Sequence, residues 1–423
     1  MIMTDIITTS LKRVVITKIT DGPHTTPQLV DEGIPFISAE GIVEGKIDFS
    51  KKRGFIKRKD HIIFSQKLLP RYGDIFFVKS GSTTGKIAIV ETKEEFNVWS
   101  PLALIRTNDL VNNKLLYYIL QSPAFQLQVR QYWSFGTQPN IGMNKIEQLK
   151  VTFPKSKNLQ EQIVSYLDLL FDKTNHFINS KQRFVELLKE QRQSIITNAV
   201  TKGIDVNVKV KETAVGEIPE HWEIRRLASI GRFSKGGNIS RSELLFSDDG
   251  LPAILYGDIY TKYDIVVENV VNRISPATAT KSVEIRKGDL LFTGSGETIE
   301  DIGKCILFNS DIPAYAGGDV IIFKQDVFDS YFISYSQNSS YAKHQKAISS
   351  KGEIIVHTYG SKLRDVIMPY PPRVEEQKKI VEHIKTETRN LDIAISKAKR
   401  EIELIKEYRE AMIAEAIVGK IKF

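Results

Sequence analysis

The segment from Gly81 to Lys86 is the part of this chain that most resembles a reactive site, because two glycines and a lysine outline a phosphate-binding loop. Such a loop needs four residues between its glycines and a Ser or Thr after its lysine. Here three residues separate Gly81 from Gly85, and Ile87 follows the lysine. The spacing argues against nucleotide binding. It favours a turn between strands, whose hydroxyls and amides could contact phosphate or could simply close the turn.

A second possible site consists of Asp74, Glu91 and Lys93, an acid followed later by Glu-x-Lys, which is the outline of a metal-dependent nuclease. Glu44 begins another Glu-x-Lys, so this short pattern arises readily by chance. The second half of the chain lacks the pattern at the matching positions. We therefore interpret it as coincidental and predict no metal site. Asp74 and its counterpart Asp289 each follow a glycine at a strand start, where a turn role is expected.

Methyl transfer and thiol chemistry are also disfavoured. DNA methyltransferases need a catalytic Asn-Pro-Pro-aromatic or Asp-Pro-Pro-aromatic segment, whereas Pro369–Pro372 has these letters in the wrong order. The single cysteine, Cys305, lies in an apolar run and is interpreted as a core residue. We predict no catalytic residue. Because the chain has no signal peptide and no apolar run of about 18 residues, we expect a cytoplasmic protein without membrane contact.

The chain is internally duplicated, because its two halves match at an offset of about 217 residues. Gly73–Phe77 corresponds to Gly288–Phe292. Another match joins Arg183–Arg192 to Arg400–Arg409, where Arg, Glu, Leu, Lys, Glu and Arg recur in the same register. The function should therefore use two similar parts.

Each half contains a mixed α/β domain, the first at residues 1–154 and the second at residues 222–372. Short apolar runs such as Ile75–Val78 and Leu102–Ile105 are bounded by Gly, Pro, Ser or Asn and predict strands. The segment Leu115–Tyr132 has apolar residues at intervals of three and four, which predicts a helix. The predicted fold class is α/β (α+β), with two similar domains.

Two long helices are predicted at residues 155–203 and 373–423, and residues 204–221 form a linker before the second domain. Apolar residues recur in both helices at alternating steps of four and three, the heptad spacing of a coiled coil. A helix of about 40 residues spans about 60 Å, which is too long for its own domain to bury. We therefore predict an antiparallel intramolecular coiled coil with pseudo-two-fold symmetry. The alternative is that each helix packs separately on its own domain. The predicted seam residues are Ile163, Leu167, Leu170, Phe177, Phe184, Leu188, Ile195, Ile380, Ile384, Leu391, Ala394, Ala398, Ile405, Tyr408 and Met412.

Several segments resemble a known family. Asp21–Pro27, Gly33–Ser38, Gly81–Val90 and Gly136–Gly142 are similar to the target recognition domain of the DNA-specificity (S) subunit of type I restriction-modification systems. Gly216–Glu223 resembles the start of that family's second recognition domain. The resemblance follows the family's domain order over essentially the whole chain.

The end of the second domain also fits this family, since Pro369–Val381 resembles its exit into a long helix. Two departures stand out. The second domain carries Gly352–His357 where the first has Gly136–Gly142, and the start of the chain lacks the Ile-Pro-x-x-Trp pattern of Ile218–Trp222. These departures leave the expected fold intact but make base-reading residues hard to transfer.

The resemblance implies a non-catalytic subunit in which each recognition domain reads one half of a bipartite, asymmetric target in double-stranded DNA. The coiled coil would set the spacer and dock two DNA methyltransferase subunits. Those partners would bind S-adenosylmethionine, and restriction/translocase subunits would use ATP and Mg²⁺, so no cofactor is expected in this chain. Two reading domains also suit half-sites spaced along one duplex. The alternatives are a coiled-coil interaction adaptor without DNA binding and an autonomous nuclease or methyltransferase, which the missing motifs disfavour.

Charge is unevenly distributed, because residues 1–154 carry a net charge of +6 and residues 213–371 one of −3, within a total of +8. A basic balance suggests a polyanionic partner, although solubility alone accounts for it equally well. Lysines and arginines could neutralise phosphates, while Gln138 and Asn140 could contact adenine or stabilise their loop. The predicted DNA-binding residues are Lys51, Lys52, Arg53, Lys57, Lys67, Arg71, Lys79, Ser80, Ser82, Thr83, Gln138, Asn140, Lys235, Arg241, Lys343, Lys346 and Lys351.

Overall fold

The computed structural model describes residues 5–135, 138–296, 298–299, 301–350 and 356–421. Two compact units divide the chain, the first comprising Met1–Gln182 with Arg400–Phe423 and the second Arg183–Lys399. Each unit therefore combines one α/β domain with segments of both long helices. Within the described residues, no helix combines the length and apolarity that crossing a membrane requires.

The first domain is built from short strands and four helices and leads into the first long helix. Its strands are β1 (Ile6–Ser10), β2 (Thr20–Asp21), β3 (Ile34–Ile37), β4 (Ile42–Val43), β5 (Lys46–Ile47), β6 (Gly54–Ile56), β7 (Ile75–Val78), β8 (Ile87–Ile89), β9 (Asn97–Val98), β10 (Leu102–Ile105), β11 (Ser134–Phe135), β12 (Pro139–Asn140) and β13 (Lys150–Pro154). Its helices are α1 (Arg58–Lys67), α2 (Asn113–Gln121), α3 (Pro123–Gln131) and α4 (Met143–Ile146), followed by the long α5 (Lys157–Lys202).

The central sheet of the first domain has the strand order β2-β10-β7-β8, with antiparallel neighbours. A second sheet, β6-β3-β9, includes the parallel pair β3 and β9. Strand β7 is buried on both faces: Ile75 and Phe77 enter the core formed with α2 and α5, whereas Phe76 and Val78 enter the core on the other face. This explains its uninterrupted apolar sequence, since side chains alternate between the faces of a strand.

The second domain is also built from short strands and small helices. Its strands, including those of the preceding linker, are β14 (Val210–Thr213), β15 (Gly216–Pro219), β16 (Glu223–Arg226), β17 (Arg232–Lys235), β18 (Leu244–Leu245), β19 (Leu251–Ile254), β20 (Val266–Val267), β21 (Asn272–Ile274), β22 (Val283–Ile285), β23 (Leu290–Thr293), β24 (Ser295–Gly296), β25 (Cys305–Phe308), β26 (Ala314–Ala316), β27 (Val320–Lys324), β28 (Val356–His357) and β29 (Ile367–Tyr370). Its helices are α6 (Tyr256–Thr261), α7 (Pro276–Ala279), α8 (Ser330–Gln337), α9 (Ser340–Ser349) and α10 (Gly360–Leu363), followed by the long α11 (Val374–Ile417).

The second domain repeats the strand plan of the first and extends it, with β20 added to the central sheet and β18 and β22 added to the other sheet. Its central sheet runs β17-β27-β23-β25-β20, and its other sheet contains the parallel pair β19 and β26. A close backbone approach recurs in both copies: a Cβ on Gly22 would lie 2.2 Å from the carbonyl oxygen of Val98, and one on Gly236 would lie 2.0 Å from that of Gly317. Only glycine fits there, so the approach of the two sheets depends on this residue in each domain.

The long helices pair in antiparallel directions within each unit. In the first unit, Lys181 of α5 forms an ion pair with Glu401 of α11, and Ile163 shares a core with Ile413. Thus positions later in α5 meet positions earlier in α11. In the second unit, Val185 of α5 packs with Ile395 and Ala398 of α11. The predicted pairing of one helix with the other, rather than with its own domain alone, is confirmed.

The register of the seam differs from the predicted heptads. In α5 the buried residues Ile163, Thr174, Val185 and Ile196 recur every 11 residues. An 11-residue repeat corresponds to about 3.67 residues per turn, closer than the heptad's 3.5 to the 3.6 of a straight helix. In the later part of α5, the positions predicted from the heptad spacing therefore precede the buried residues by one. The residues that are buried along the helix are here called the buried stripe.

Two predicted seam positions are corrected by this drift. Phe184 and Tyr408 are 44% and 48% exposed. Other predicted residues remain in or beside the buried stripe. Those that are buried are Ile163, Leu167, Ile380, Ile384 and Ala398; those of intermediate exposure are Leu170, Phe177, Leu188, Ile195, Leu391, Ala394, Ile405 and Met412, and the neighbours Ile178, Val185, Ile196, Ile395 and Ile413 are more deeply buried.

A buried glutamine joins each domain to the helix that follows it. Gln160 of α5 accepts a hydrogen bond from the backbone N–H of Asn112 (2.7 Å), the residue that caps α2. Its Nε2 donates to the carbonyl oxygens of Leu110 and Pro154 at 3.1 and 2.8 Å. Both ends of the amide are therefore used, which fixes the first turn of α5 against its domain.

The same arrangement recurs in the second copy. Gln377 of α11 accepts from the backbone N–H of Asp329 (2.8 Å), the residue that caps α8. Its Nε2 donates to the carbonyl oxygen of Pro371 (2.9 Å). The duplication thus preserves the joint between domain and helix down to individual hydrogen bonds.

We predict that Gln160→Ala lowers the free energy of unfolding by about 2–4 kcal/mol, because it leaves buried backbone groups without hydrogen-bond partners. The matched control is Gln162→Ala, which removes an exposed glutamine from the same helix turn. Urea denaturation of both variants measures the difference. Equal stability of the two variants would contradict the role of Gln160 in joining the first domain to α5.

Candidate nucleic-acid interface

Charged side chains cluster at one end of the first domain, where β2, α1 and β7 end. Asp21 receives the ammonium groups of Lys67 and Lys79 at 2.8 and 3.0 Å. Nε2 of His24 lies 3.1 Å from the same carboxylate. Lys67 also donates to the carbonyl oxygen of Gly22 (2.9 Å). The structure therefore brings together two lysines that the sequence predicted as phosphate contacts, and it holds them through an acid that was not predicted.

The protonation state of Asp21 follows from competing effects. Burial acts to raise its pKa, but hydrogen bonds and charge attraction from Lys67 and Lys79 hold the pKa below its ordinary value. Asp21 is therefore ionised at neutral pH and balances one of the two lysines. The cluster retains positive charge, which suits an incoming phosphate.

An aromatic platform extends this charged cluster. The guanidinium of Arg53 stacks over Trp99 at 4.0 Å from the ring centroid, and the ammonium of Lys52 lies 4.7 Å from that of Phe55. The backbone of Trp99 lies against Gly22, directly beside Asp21. Stacking on Trp99 holds Arg53 near the cluster, which lowers the entropy cost of ordering this side chain on a phosphate backbone.

The Gly81–Gly85 turn stands beside the hairpin of β11 and β12. Gly81 and Gly85 have φ values of 103° and 96°, which favour glycine. The hydroxyl of Thr84 donates to the carbonyl oxygens of Gly81 and Pro139 at 2.7 and 3.0 Å. Thr84 therefore closes the turn. This internal bonding supports the strand-turn interpretation of the segment.

Predicted residues from the turn and the hairpin lie together at this end of the domain. Ser80 forms a β-bridge with Asn140, Ser82 is exposed and Thr83 is half-buried. Gln138 and Asn140 are both exposed, so their amides are accessible. Gly136 and Thr137, between the hairpin strands, lie outside the described residues.

Other predicted residues are less closely associated with the cluster. Arg71 precedes β7, whereas Lys79 follows it, so these two residues lie at opposite ends of the strand. Arg71 is exposed but stands apart from the Asp21 cluster, so its contact with DNA stays a prediction. Lys51 and Lys57 are exposed, and Lys57 donates to the side chain of Gln28 (3.4 Å).

A cleft of about 910 Å³, lined by basic, amide, aromatic and aliphatic side chains and by Asp258, Asp301 and Asp319, opens at the corresponding end of the second domain. Lys235 and Gly236 stand there in place of Asp21 and Gly22, as the repeated glycine approach shows. Lysine and arginine suit phosphate, asparagine suits base edges, and tyrosine offers a stacking surface. The side chains in the cleft that fit this chemistry are Lys235, Asn238, Arg241, Tyr256, Tyr260 and Asn272.

The β11–β12 hairpin has a structural counterpart despite its different sequence. Strand β24 pairs with β28, which places Ser295 opposite His357. The hydroxyl of Ser295 lies 3.0 Å from Nδ1 of His357. Ser295 and His357 therefore stand where Ser80 and Asn140 stand in the first domain.

Lys346 cannot contact DNA, and its prediction is corrected. Its side chain is fully buried, and its ammonium donates to the carbonyl oxygens of Gly303 and Gln337 at 2.6 and 2.7 Å. Burial lowers the pKa of Lys346 to about 8. Lys343 is partly exposed and lies 3.6 Å from Asp301, while Lys351 falls outside the described residues.

The remaining reactive residues have structural partners. Asp74 is buried and accepts two hydrogen bonds from the guanidinium of Arg106, both at 2.7 Å, and one from the backbone of Arg71. Cys305 is buried, and burial raises the pKa of its thiol to about 12. Within the described residues, no group of three or more His, Cys, Asp or Glu side chains could hold a metal ion.

Sequence reasoning predicted Lys235 and Arg241 of the cleft. It missed Asp21, Trp99 and the other cleft side chains that suit DNA, which are Asn238, Tyr256, Tyr260 and Asn272. A signal existed for Asp21, because it begins the Asp21–Pro27 motif on which the family resemblance rests. The cleft gave no such signal. Its residues come from strands and loops far apart in the chain.

The fold and the polar, charged domain ends define a protein with two DNA recognition domains. Residues 20–187 and 219–404 each match the type I restriction modification DNA specificity domain. The chain belongs to this family, which confirms the resemblance of its motifs.

Individual relatives agree with this assignment. The type I restriction enzyme MjaVIII specificity subunit of Methanocaldococcus jannaschii is 25% identical over 408 residues, which cover 93% of this chain and 88% of that protein. The type I restriction enzyme EcoKI specificity subunit of Escherichia coli strain K12 is 23% identical over 220 residues, 49% of this chain and 45% of that protein. A solved chain from a study of complex assembly and conformational transition in the type I R-M system aligns over 98% of both chains, with a TM-score of 0.61 and 16% identity. That likeness supports the fold.

We predict that the double variant Lys235→Ala/Arg241→Ala weakens binding to a mixed-sequence duplex and makes the slope of log Kobs against log salt less steep by about 1–2, because two phosphate-neutralising charges are lost. The control is Arg286→Ala/Lys287→Ala, which removes the same charges beside the start of β23, away from the cleft. Fluorescence anisotropy across salt concentrations measures both. A slope equal to that of the unaltered protein would exclude phosphate contacts in the cleft.

Proposed function

We propose that this chain reads a bipartite, asymmetric DNA target for a type I restriction-modification enzyme and catalyses no reaction itself. The main support is that the two domains share one arrangement of strands but present different side chains at equivalent positions. Asp21 and Asn140 in the first domain correspond to Lys235 and His357 in the second. Surfaces with different hydrogen-bonding groups read different sequences, so the two half-sites should differ.

The test is modification mapping. The chain would be co-expressed with its cognate methyltransferase subunit in methylation-free cells, and the DNA would be sequenced for methyladenine. We expect a split motif with two defined, unequal halves and a fixed undefined spacer. If a complex assembles and binds S-adenosylmethionine but leaves DNA unmethylated, the chain is instead a coiled-coil adaptor.

A surface on the long helices fits two copies of one partner. The segments Arg183–Arg192 and Arg400–Arg409, here called the repeated decapeptides, share Arg, Glu, Leu, Lys, Glu and Arg in the same register. The first five of these shared residues are exposed in both copies, and they include Leu187 and Leu404. Buried neighbours within the same segments differ, as Val185 and Ile402 do.

Folding alone would preserve the buried residues of the two segments rather than the exposed ones, whereas here the exposed residues are shared and buried ones differ. Exposed side chains contribute little to stability, whereas buried ones decide packing. Identity at exposed positions of two otherwise divergent copies is explained if each decapeptide binds the same protein. We assign this role to two DNA methyltransferase subunits.

The chemistry of the complex would belong to the partners. S-adenosylmethionine is expected on the methyltransferase subunits, and ATP with Mg²⁺ on restriction/translocase subunits. This chain would act in the cytoplasm, where it would supply the DNA contacts and the docking surfaces.

We predict that Leu187→Gln/Leu404→Gln abolishes binding of methyltransferase subunits, while each single variant binds one, because each leucine is the apolar centre of one decapeptide. Ile393→Gln is the control, since Ile393 is equally exposed on α11 but outside the decapeptides. Native mass spectrometry counts the bound subunits. Two subunits bound to the double variant would rule out this surface, as would an equal loss in the control.

A further inference from the structure

Arg192 of α5 bridges three elements of the second unit. Its Nη2 lies 2.6 Å from Oδ2 of Asp264, in the segment between α6 and β20, and its Nε lies 2.7 Å from Oδ1 of Asp392 on α11. The Arg192 side chain is only 18% exposed, whereas both acids reach solvent. One guanidinium therefore ties the second domain to both long helices.

The segment held by Arg192 adjoins the wall of the cleft in the second domain. Asp264 follows α6 by three residues, and α6 supplies Tyr256 and Tyr260 to the cleft. Tyr260 also lines a second cavity of about 230 Å³, together with Arg192 and Asp264. The hydroxyl of Tyr260 is hydrogen-bonded to Thr293 (2.7 Å) on the central sheet. A displacement of Asp264 would therefore move a wall of the cleft.

The equivalent arginine in the first unit is bonded differently. Arg409 donates to Oγ1 of Thr174 at 2.6 and 3.0 Å and to Oδ1 of Asn175 at 2.8 Å, and it stacks over Phe171. All three partners lie on α5. Asn175 occupies the repeat position of Asp392. The first domain is instead tied to α5 by the ion pair of Lys114 with Asp168 (2.7 Å). Among the described residues, an arginine at this position that is paired with acids of both the reading domain and the other long helix is thus a feature of the second copy.

We infer that Arg192 is a positioning residue that fixes the cleft of the second domain on the helix pair and so determines which spacer length the protein accepts. This inference rests on the proposed function. A long helix resists bending, so tolerance in the spacer must come from the joints between helices and domains. The guanidinium of Arg192 is only 18% exposed, so water replaces a lost acidic partner incompletely, and its charge-assisted contacts orient the joint.

The test compares Arg192→Gln, Arg192→Lys and Asp264→Asn, each assembled with its methyltransferase subunits. Affinity is measured for duplexes that carry the mapped target with its native spacer or with one base pair added or removed. Arg192→Gln and Asp264→Asn are expected to reduce the preference for the native spacer by about fivefold or more, without changing the sequence of either half-site. Arg192→Lys should retain part of this preference, since lysine can pair with one acid at a time.

Arg389→Gln is the control, because Arg389 is an exposed arginine of α11 that lies outside the repeated decapeptides. Asp264→Asn alters a side chain that is 67% exposed, so this variant keeps the test valid if Arg192→Gln fails to fold. An unchanged spacer preference in folded Asp264→Asn protein overturns the inference, and so does an equal change in Arg389→Gln. Failure of the proposed function gives a different result, since the unaltered complex would then show no split target.

Discussion

The buried amide of Gln160, with its counterpart Gln377, is the interaction on which the architecture depends. Each glutamine sits in the first turns of a long helix and uses its oxygen and its amino group to bind backbone groups of the preceding domain. A buried amide with satisfied hydrogen bonds has one orientation, so it fixes the direction in which the helix leaves its domain. Apolar packing alone would permit sliding, because dispersion is non-directional.

The strand pairs β1–β13 and β16–β29 bring the start of each domain to its end, immediately before the long helix. Consequently the domain closes on itself and the helix begins from a rigid base. The reading surfaces lie among loops and strand ends, where substitutions cost little stability. This separation explains how two copies keep one core plan while Asp21 and Lys235 diverge at equivalent places.

The helix pair combines two kinds of constraint. Its buried stripe needs only apolar residues of suitable volume, and Val185 and Ile402 show that shape can change there between copies. The ion pairs and hydrogen bonds of the helix pair require particular partner residues. Arg192 is bound by acids from the second domain and from α11, whereas Arg409 is bound by neutral acceptors on α5. The two joints are therefore chemically unequal within one duplicated framework.

Local patterns in the sequence were sufficient to predict strands and helices of the fold. The apolar run Ile75–Val78 predicted a strand, and apolar periodicity predicted the long helices, because both signals come from residues close together in the chain. Repetition at a constant offset established two similar domains and suggested that the helices pair. The motifs around Asp21 and Gly81 were sufficient for the family.

Tertiary structure alone decided the seam register and the composition of the site. A heptad and an 11-residue repeat differ by a fraction of a residue per turn, so only packing against the partner helix distinguishes Phe184 from Val185. Lys346 has the sequence character of a surface lysine, yet α9 directs it into the core. Asp21, Lys67 and Lys79 meet because β2, α1 and β7 end at one place, and the cleft forms from segments distant in sequence. The sequence by itself determined the elements and the duplication through local periodicity, whereas charge pairing and burial followed from non-local contacts, which no short pattern encodes.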